Sequence, residues 1–245
     1  IVTSEVYSMY VFDAADLSVN PTEMGHSPAL VRGVLAGFKK YGYKIGGFDA
    51  TTASRVIAGS GLSSSAAYEV LVGTMVNYLY NDGKVDAVTI AKIAQYAENE
   101  YFGKPCGLMD QMACSVGGFV TIDFNDPKNP VIEEVDFDFA KCGHSLCIVD
   151  TKGSHSDLTD EYAAIRTEME SVAEFFGKKV LREVSEEEFK LKIRELRTAV
   201  GDRAILRAMH FYADNARVLK EVDALRGGDF ETFKKYILES GASSY

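Results

Sequence analysis

A run of glycine and serine at residues 59–65 carries the clearest chemical signal in the sequence. It reads Gly59-Ser60-Gly61-Leu62-Ser63-Ser64-Ser65. Glycine lets backbone amides approach a ligand closely, and the first amides of a helix have no acceptor within that helix. If a helix begins here, its positive end attracts anions, and the serine hydroxyls can bind phosphate oxygens or Mg²⁺. The segment therefore predicts a phosphate site.

Two other glycine-rich phosphate loops fit this segment poorly. A P-loop needs a lysine directly after its last glycine, and residues 56–83 contain no lysine. A dinucleotide-binding loop would have a third glycine at position 64, where the sequence has Ser64. A serine-capped helix that follows a tight turn and binds no ligand remains an open alternative.

The pattern of apolar residues predicts the elements that position this loop. Strand-forming residues at 46–57 precede it, and the segment 62–80 that follows is apolar on most sides, which predicts a buried helix. Other helices are predicted at 28–41, 85–100, 108–115, 157–176, 185–198, 201–226 and 228–240, and other strands at 5–12, 119–123, 131–136 and 145–150. Helices dominate after about residue 140, so we predict two domains, 1–142 and 143–245.

Composition narrows the class of protein. The net charge of -10 and the lack of a basic tract disfavour nucleic acid and anionic membranes as partners. No apolar stretch approaches the roughly 18 residues of a membrane span, and no secretion signal is predicted at the start. The four cysteines form no Cys-x-x-Cys pair, which favours reduced thiols in the core of a cytoplasmic protein. The four scattered histidines suggest neither a metal site nor a catalytic triad.

Two segments resemble motifs of the GHMP kinases. Residues 56–67, which contain the glycine–serine run, resemble the second motif of that family, and the triple serine is typical of its galactokinase branch. Residues 97–111, which read Ala-Glu-Asn-Glu-Tyr-Phe-Gly-Lys-Pro-Cys-Gly-Leu-Met-Asp-Gln, resemble the galactokinase segment around the catalytic aspartate. Weaker similarity at 157–166 and 213–233 extends the resemblance from about residue 24 to the end.

The resemblance implies an α+β fold and a reaction. The fold has an N-terminal domain like the second domain of ribosomal protein S5, which binds ATP, and a ferredoxin-like C-terminal domain. The reaction is transfer of the ATP γ-phosphoryl group to the anomeric hydroxyl of galactose, which yields galactose 1-phosphate and ADP. Small-molecule sugar and ATP are then the partners, and Mg²⁺ is the cofactor; the oligomeric state is not predicted.

The resemblance also implies roles for individual residues. Asp110 would accept the proton of the sugar hydroxyl as base, and Ser65 and Glu98 would ligate Mg²⁺. Gly107, Asp110 and Tyr162 would contact the sugar. The residues that would hold the ATP phosphates are Gly59, Ser60, Gly61, Leu62, Ser63, Ser64 and Ser65.

Each of these roles has an ordinary structural alternative. Asp110 can be an exposed carboxylate at the start of a short helix, and Glu98 can be a surface residue confused with the nearby Glu100. Tyr162 lies on an apolar helix stripe, where it can be a core aromatic residue. Gly107 is equally explained as a turn residue.

Parts of the galactokinase pattern are absent. The sequence lacks the N-terminal motif Gly-Arg-x-Asn-x-Ile-Gly-Glu-His-Thr-Asp-Tyr, which supplies most sugar contacts and the catalytic arginine, and it lacks the C-terminal glycine-rich motif. Ile57 stands where the family usually has proline. We therefore expect both domains to be incomplete and the isolated chain to be inactive or nearly so.

Two alternatives to galactose phosphorylation remain open. Another GHMP sugar kinase, for example one acting on N-acetylgalactosamine, would share the residues present here. A non-catalytic paralogue that senses galactose and ATP belongs to a different functional class, and the known type lacks the Ser-Ala pair after the serines. Here Ser65-Ala66 is intact and Asp110 is present, which favours an enzyme.

Overall fold

The computed structural model describes residues 1–4, 9–56, 61–126, 129–149 and 159–245. The chain divides into two compact units, Ile1–Gly118 and Phe119–Tyr245. The predicted domain boundary after residue 142 therefore lies within the second unit, and it stays a prediction. The two units are described separately below.

Four helices and a short parallel strand pair make up the described part of the first unit. Strands β1 (Val2–Ser4) and β2 (Ala50–Thr52) pair in parallel, with Val2 opposite Ala50. The helices are α1 (Ser27–Lys40), α2 (Ser64–Asn81), α3 (Ala87–Ala97) and α4 (Met109–Val116), and a π-helical turn, Glu98–Phe102, follows α3 directly. These bounds confirm the four helices predicted in this region.

Helix α1 lies at the centre of the first core. Pro28 favours its start, and Gly42, with φ of 83°, follows its end in the left-handed region. Val34 and Phe38, one helical turn apart, are fully buried against residues of α2 and α3 such as Val76. Burial of each such side chain contributes on the order of 2 kcal/mol, so this apolar stripe is what fixes α1 between its neighbours.

Helix α2 differs from the prediction that it is buried on most sides. Val72 and Val76 are buried, whereas Leu71 and Leu79 are 42% and 58% exposed. Helices α1, α3 and α4 are the elements that pack extensively on α2, and Leu71 and Leu79 remain exposed. The buried side also carries a carboxylate, Glu69, which becomes important for the site.

The second unit pairs one hairpin with a group of helices. Strands β3 (Phe119–Asp123) and β4 (Val131–Val135) are antiparallel, with Phe119 opposite Val135. Its helices are α5 (Thr159–Phe175), α6 (Glu186–Leu191), α7 (Ile193–Ala199), α8 (Asp202–Arg226) and α9 (Phe230–Ser244). Val172, Phe189 and Leu196 are fully buried in the core of this unit. Helices and small sheets together confirm the α+β class.

Three predicted elements differ from the structure. Residues 145–149 form no strand, and Leu146 and Val149 are 81% and 79% exposed, so that part of the prediction for 145–150 is wrong. Of the predicted strand 46–57, residue 57 lies outside the described residues, and within 46–56 only β2 forms a strand. The predicted helix 185–198 is divided into α6 and α7 at Lys192. Of the predicted strand 5–12, residues 5–8 lie outside the described residues, and Tyr10 forms a bridge with Val2.

Two further predictions concern exposure. Cys114 and Cys147 are exposed and Cys106 and Cys142 are half-buried, so the expectation that the thiols lie in the core is wrong. Among the described residues, no helix has the length and apolar character needed to cross a membrane.

Candidate active site around Ser65, Glu98 and Asp110

The start of α2 presents backbone amides in the way a phosphate site requires. Gly61 and Ser63 have φ angles of 76° and 56°, so the chain turns sharply just before the helix. The first intrahelical hydrogen bond runs from the amide of Ala67 to the carbonyl of Ser63, 3.0 Å. The preceding amides, of Ser64, Ser65 and Ala66, are those that an α-helix leaves without internal acceptors. Gly59 and Ser60, which were also predicted here, lie outside the described residues.

Ser63 is strained in this turn. A residue other than glycine rarely adopts the left-handed region, and the cost is about 1–2 kcal/mol. Ser63 is one of two such residues in the described chain, and its hydroxyl does not cap the helix. Strain of this kind is often kept where it shapes a binding loop, and here it places three serine side chains at the mouth of α2.

Ser65 and Glu98 meet in the structure, as their predicted shared role requires. The hydroxyl Oγ of Ser65 donates to Oε1 of Glu98 over 3.1 Å, and Glu98 is 2% exposed. The ammonium of Lys104 lies 3.3 Å from the same carboxylate oxygen. Glu98 is therefore not a free surface residue, and its Oε1 already faces a cation.

These two oxygens fit a magnesium ion. Mg²⁺ prefers hard oxygen ligands at about 2.0–2.1 Å, so two adjacent ligands of an octahedron lie about 2.9 Å apart. The separation of Ser65 Oγ and Glu98 Oε1, 3.1 Å, is close to that value. No group of three or more His, Cys, Asp or Glu side chains in the described ranges could hold a metal ion. Two protein oxygens suit a metal whose other ligands come from phosphate and water.

The π-helical turn after α3 determines where Glu98 lies. The carbonyl of Glu98 accepts from the amides of Gly103 and Lys104, at 3.1 and 3.2 Å, which closes the wide turn. Just before it, Ala97 packs so closely on α1 that a Cβ atom at Gly33 would come 2.7 Å from the Ala97 Cα. Such turns occur often at functional sites, and here one follows directly on a fixed helix crossing.

Two buried polar residues complete the site, and the sequence analysis missed both. Gln111 donates through Nε2 to Oε2 of Glu98 at 2.7 Å and to Oε2 of Glu69 at 3.2 Å. Gln111 and Glu69 are fully buried. Burial raises the pKa of Glu69 to about 8, and the nearby charge of Glu98 adds to this effect. The signal was a carboxylate within an apolar helix, four residues after Ser65.

The segment between Glu98 and α4 is held by amide side chains. Asn99 accepts from the amide of Cys106 through Oδ1 at 2.7 Å, and Gln95 donates to the Cys106 carbonyl at 3.2 Å. Burial raises the pKa of the Cys106 thiol to about 12, and the charge of Glu98 contributes. Gly107 is exposed, and no described atom lies within 4 Å of the place its Cβ would occupy. Space for a ligand is therefore available at Gly107.

Asp110 lies in the first turn of α4 with its side chain exposed. Leu108 and Met112 on either side are buried and anchor the turn. Within the described chain, no hydrogen bond or ion pair engages the Asp110 carboxylate, so it is available to a ligand. Its neighbour Gln111 links the same turn to Glu98.

The structure brings together some of the predicted residues. Ser65 and Glu98 are in contact, and Asp110 directly precedes Gln111, which donates to Glu98. Tyr162 belongs to α5 in the second unit, and its side chain is outside the description. Its predicted sugar contact stays a prediction.

Comparisons with known proteins agree with the resemblance seen in the sequence. Residues 29–118 match the model of the GHMP kinases N terminal domain. The chain is 35% identical over 213 residues to a galactokinase of Thermotoga petrophila, which covers 87% of this chain and 58% of that protein. It is 32% identical over 243 residues to a galactokinase of Streptomyces coelicolor, covering 94% of this chain and 61% of that protein.

A solved structure shows the same fold. The crystal structure of Lactococcus lactis galactokinase complexed with galactose superposes with a TM-score of 0.75 at 24% identity, covering 99% of this chain and 62% of that one. The chain thus spans about three fifths of the length of the relatives it matches.

Proposed function

Because this chain is a member of the GHMP kinase family whose relatives are galactokinases, we propose that its protein phosphorylates galactose at the anomeric hydroxyl, with ATP as donor. The products are galactose 1-phosphate and ADP. The observation that carries the proposal is the contact between Ser65 and Glu98, 3.1 Å, beside the open amides at the start of an 18-residue helix. That arrangement supports a phosphate site and two metal ligands in one place.

The start of α2 binds the ATP phosphates in this proposal. The donors to the phosphate oxygens are the hydroxyls of the three serines and the amides of Ser64, Ser65 and Ala66. The helix dipole adds a positive potential. Gly61 allows the backbone to approach the nucleotide without a side chain between them. Gly59, Ser60 and Leu62 are proposed to contribute to the same loop.

Ser65 and Glu98 would hold Mg²⁺, which neutralises charge on the transferring phosphoryl group when bound. Lys104 now occupies the cation position beside Glu98 and has to move aside. Its side chain is 63% exposed, so this movement meets little resistance.

Asp110 acts as base. The anomeric oxygen attacks the γ-phosphorus, its proton passes to the Asp110 carboxylate, and the bond between the γ-phosphorus and the leaving oxygen of ADP breaks. The exposed carboxylate at the start of α4 is free to reach a hydroxyl group. Gly107, Asp110 and Tyr162 are the proposed sugar contacts.

The remaining parts of the proposal concern organisation and location. A boundary at 142/143 would separate an ATP-binding domain from a C-terminal domain. All four cysteines are free, which supports a reducing compartment such as the cytoplasm, where ATP is available.

The test is ADP release by the full natural protein that carries this sequence. Mg-ATP is supplied with galactose, N-acetylgalactosamine, glucose or no sugar, in parallel with the variant Asp110→Asn. Galactose-dependent release that the variant loses supports the proposal. Preference for N-acetylgalactosamine would reassign the substrate, and ATP binding without release for any sugar would favour a sensor.

A further inference from the structure

Gln111 is the fully buried polar residue that connects the proposed metal ligand to the rest of the site. We propose that Gln111 is a positioning residue: it orients the carboxylate of Glu98 toward Ser65 and joins the helix that carries Asp110 to α2. This inference rests on the proposed function, because it concerns the metal and nucleotide site of that reaction.

The chemistry of the contacts fixes which way the amide of Gln111 faces. Glu98 Oε2 belongs to a carboxylate and can only accept, so the NH₂ group of the amide faces it, and Oε2 of the Glu69 carboxyl group accepts from the same NH₂ group. An NH₂ group carries two hydrogens, and the carboxyl groups of Glu98 and Glu69 can each take one, while the Cys106 sulfur lies farther away, at 3.5 Å. Both hydrogens of the Gln111 NH₂ group therefore have acceptors.

Packing alone does not explain a glutamine at this place. The Oε1 atoms of Gln111 and Glu69 are buried and have no hydrogen-bond partner among the described residues. Leaving such an atom unpaired is costly, and methionine would fill the same volume without that cost. The hydrogen bonds to the carboxyl groups of Glu98 and Glu69 are what glutamine supplies and methionine does not.

The hydrogen bond from Gln111 gives the two oxygens of Glu98 different partners. Oε2 is held by Gln111 on the buried side, and Oε1 is left to face Ser65 and Lys104. If the donor is removed, Oε2 loses its 2.7 Å hydrogen bond on the buried side, and the carboxylate gains by rotating toward Lys104. The separation of Ser65 Oγ and Glu98 Oε1 that suits a metal would then be lost.

The same residue closes a ring of contacts between three segments. Ser65 and Glu69 lie four residues apart on one face of α2, and they reach Glu98 and Gln111 respectively. Gln111 directly follows Asp110, so its hydrogen bonds also hold the first turn of α4 against α2. Removal of Gln111 is therefore expected to change the Mg²⁺ requirement more than it changes sugar binding.

The experiment compares Gln111→Met with Gln95→Met in the full natural protein. Gln95 offers a control, because Gln95→Met also removes an amide donor, here from a half-buried residue whose partner is the Cys106 carbonyl and not a carboxylate. The primary readout is the Mg²⁺ concentration that gives half of the ATP-dependent rise in melting temperature, which needs no sugar turnover. The KM for galactose and the melting temperature without ligands are measured alongside.

For Gln111→Met we expect the Mg²⁺ requirement to rise about 10- to 100-fold, as is typical when a group that orients a metal ligand is removed. The KM for galactose changes less than twofold, and Gln95→Met leaves the Mg²⁺ requirement unchanged. If Gln111→Met does not fold, Gln111→Leu removes the same donor with a smaller apolar side chain and no new charge, and the same rise is expected.

Three results would overturn the inference. One is a Gln111→Met variant that matches Gln95→Met, and another is a variant in which the galactose KM rises as much as the Mg²⁺ requirement. The third is a parent protein whose ATP-dependent stabilisation does not depend on Mg²⁺. Failure of the proposed function looks different: the Mg²⁺ effects persist, but galactose does not stimulate ADP release.

Discussion

The hydroxyl of Ser65 and the carboxylate of Glu98 lie 3.1 Å apart, although 33 residues separate them in the chain. This contact distinguishes Glu98 from Glu100, which the sequence alone leaves as a competing metal ligand. Glu100 lies in the same π-helical turn with its side chain exposed. The contact assigns the inward position of the turn to Glu98.

Replacing these two glutamates by glutamine is expected to have different effects. Glu98→Gln removes a charged oxygen ligand, so we expect at least a 10-fold higher Mg²⁺ requirement and a lower kcat. Glu100→Gln changes both by less than twofold. Titration of Mg²⁺ at saturating ATP measures the difference, and equal effects of the two substitutions would contradict the assignment.

Replacing the proposed base is expected to separate activity from stability. Asp110→Asn removes the proton acceptor, and a general base typically contributes a factor of 10²–10⁴ to kcat. Because the side chain is exposed, the melting temperature should stay within about 2 °C. Asp136→Asn, at another exposed aspartate, serves as control. A variant that keeps more than a tenth of the parent kcat would remove Asp110 from the role of base.

The raised pKa of Glu69 predicts how the free energy of unfolding depends on pH. Its pKa is raised from 4.5 to about 8 in the folded protein by burial and by the charge of Glu98, whereas Lys104 opposes this shift. The folded state therefore keeps a proton that the unfolded state loses above pH 4.5. The free energy of unfolding should fall as pH rises from about 4.5 to 8, by up to about 1.4 kcal/mol per pH unit from this residue, and then level off.

The neutral variant Glu69→Gln provides the comparison. It keeps an oxygen that can accept from Gln111 and has no proton to lose, so its stability should change less across the same pH range. Urea unfolding of the metal-free protein at pH 5, 6, 7 and 8 gives both curves. Parallel curves for parent and variant would show that Glu69 does not contribute to the slope.

The close crossing of α1 and α3 predicts the effect of one added methyl group. In Gly33→Ala the new Cβ would come 2.7 Å from the Ala97 Cα, so the helices have to separate, at a cost of about 1–3 kcal/mol. Gly241→Ala in α9 meets no atom within 4 Å and should instead stabilise by about 0.5–1 kcal/mol, through helix propensity. Thermal unfolding measures whether each substitution raises or lowers the stability. Stabilisation by Gly33→Ala would contradict the close contact between α1 and α3.

Local sequence signals predicted the helices well, because their ends carry local chemistry. Pro28 and Gly42 bracket α1, and the predicted range 28–41 agrees with Ser27–Lys40. The apolar residues at 145–149 predicted a strand incorrectly. A strand needs a partner as well as a preference, and Leu146 and Val149 find none among the described residues.

The polar core of the site was harder to predict. Resemblance to a family marked Ser65, Glu98 and Asp110, but their contacts depend on how α2, α3 and α4 pack. The position of Glu69 within an apolar helix is a local signal but does not show what it contacts, and Gln111 has no such signal. Their burial follows only from the tertiary arrangement, in which each is the other's partner.

The π-helical turn that begins at Glu98 makes this stretch sensitive to chain length. A π-turn contains about one residue more than an α-turn, so it behaves as a one-residue insertion that the structure has absorbed. Deleting one residue there would let α3 continue as a regular helix and rotate all that follows by roughly 100°. Exposed residues of this turn, such as Glu100, can be substituted. The number of residues between Glu98 and Asp110 is constrained, because it sets where Asp110 lies.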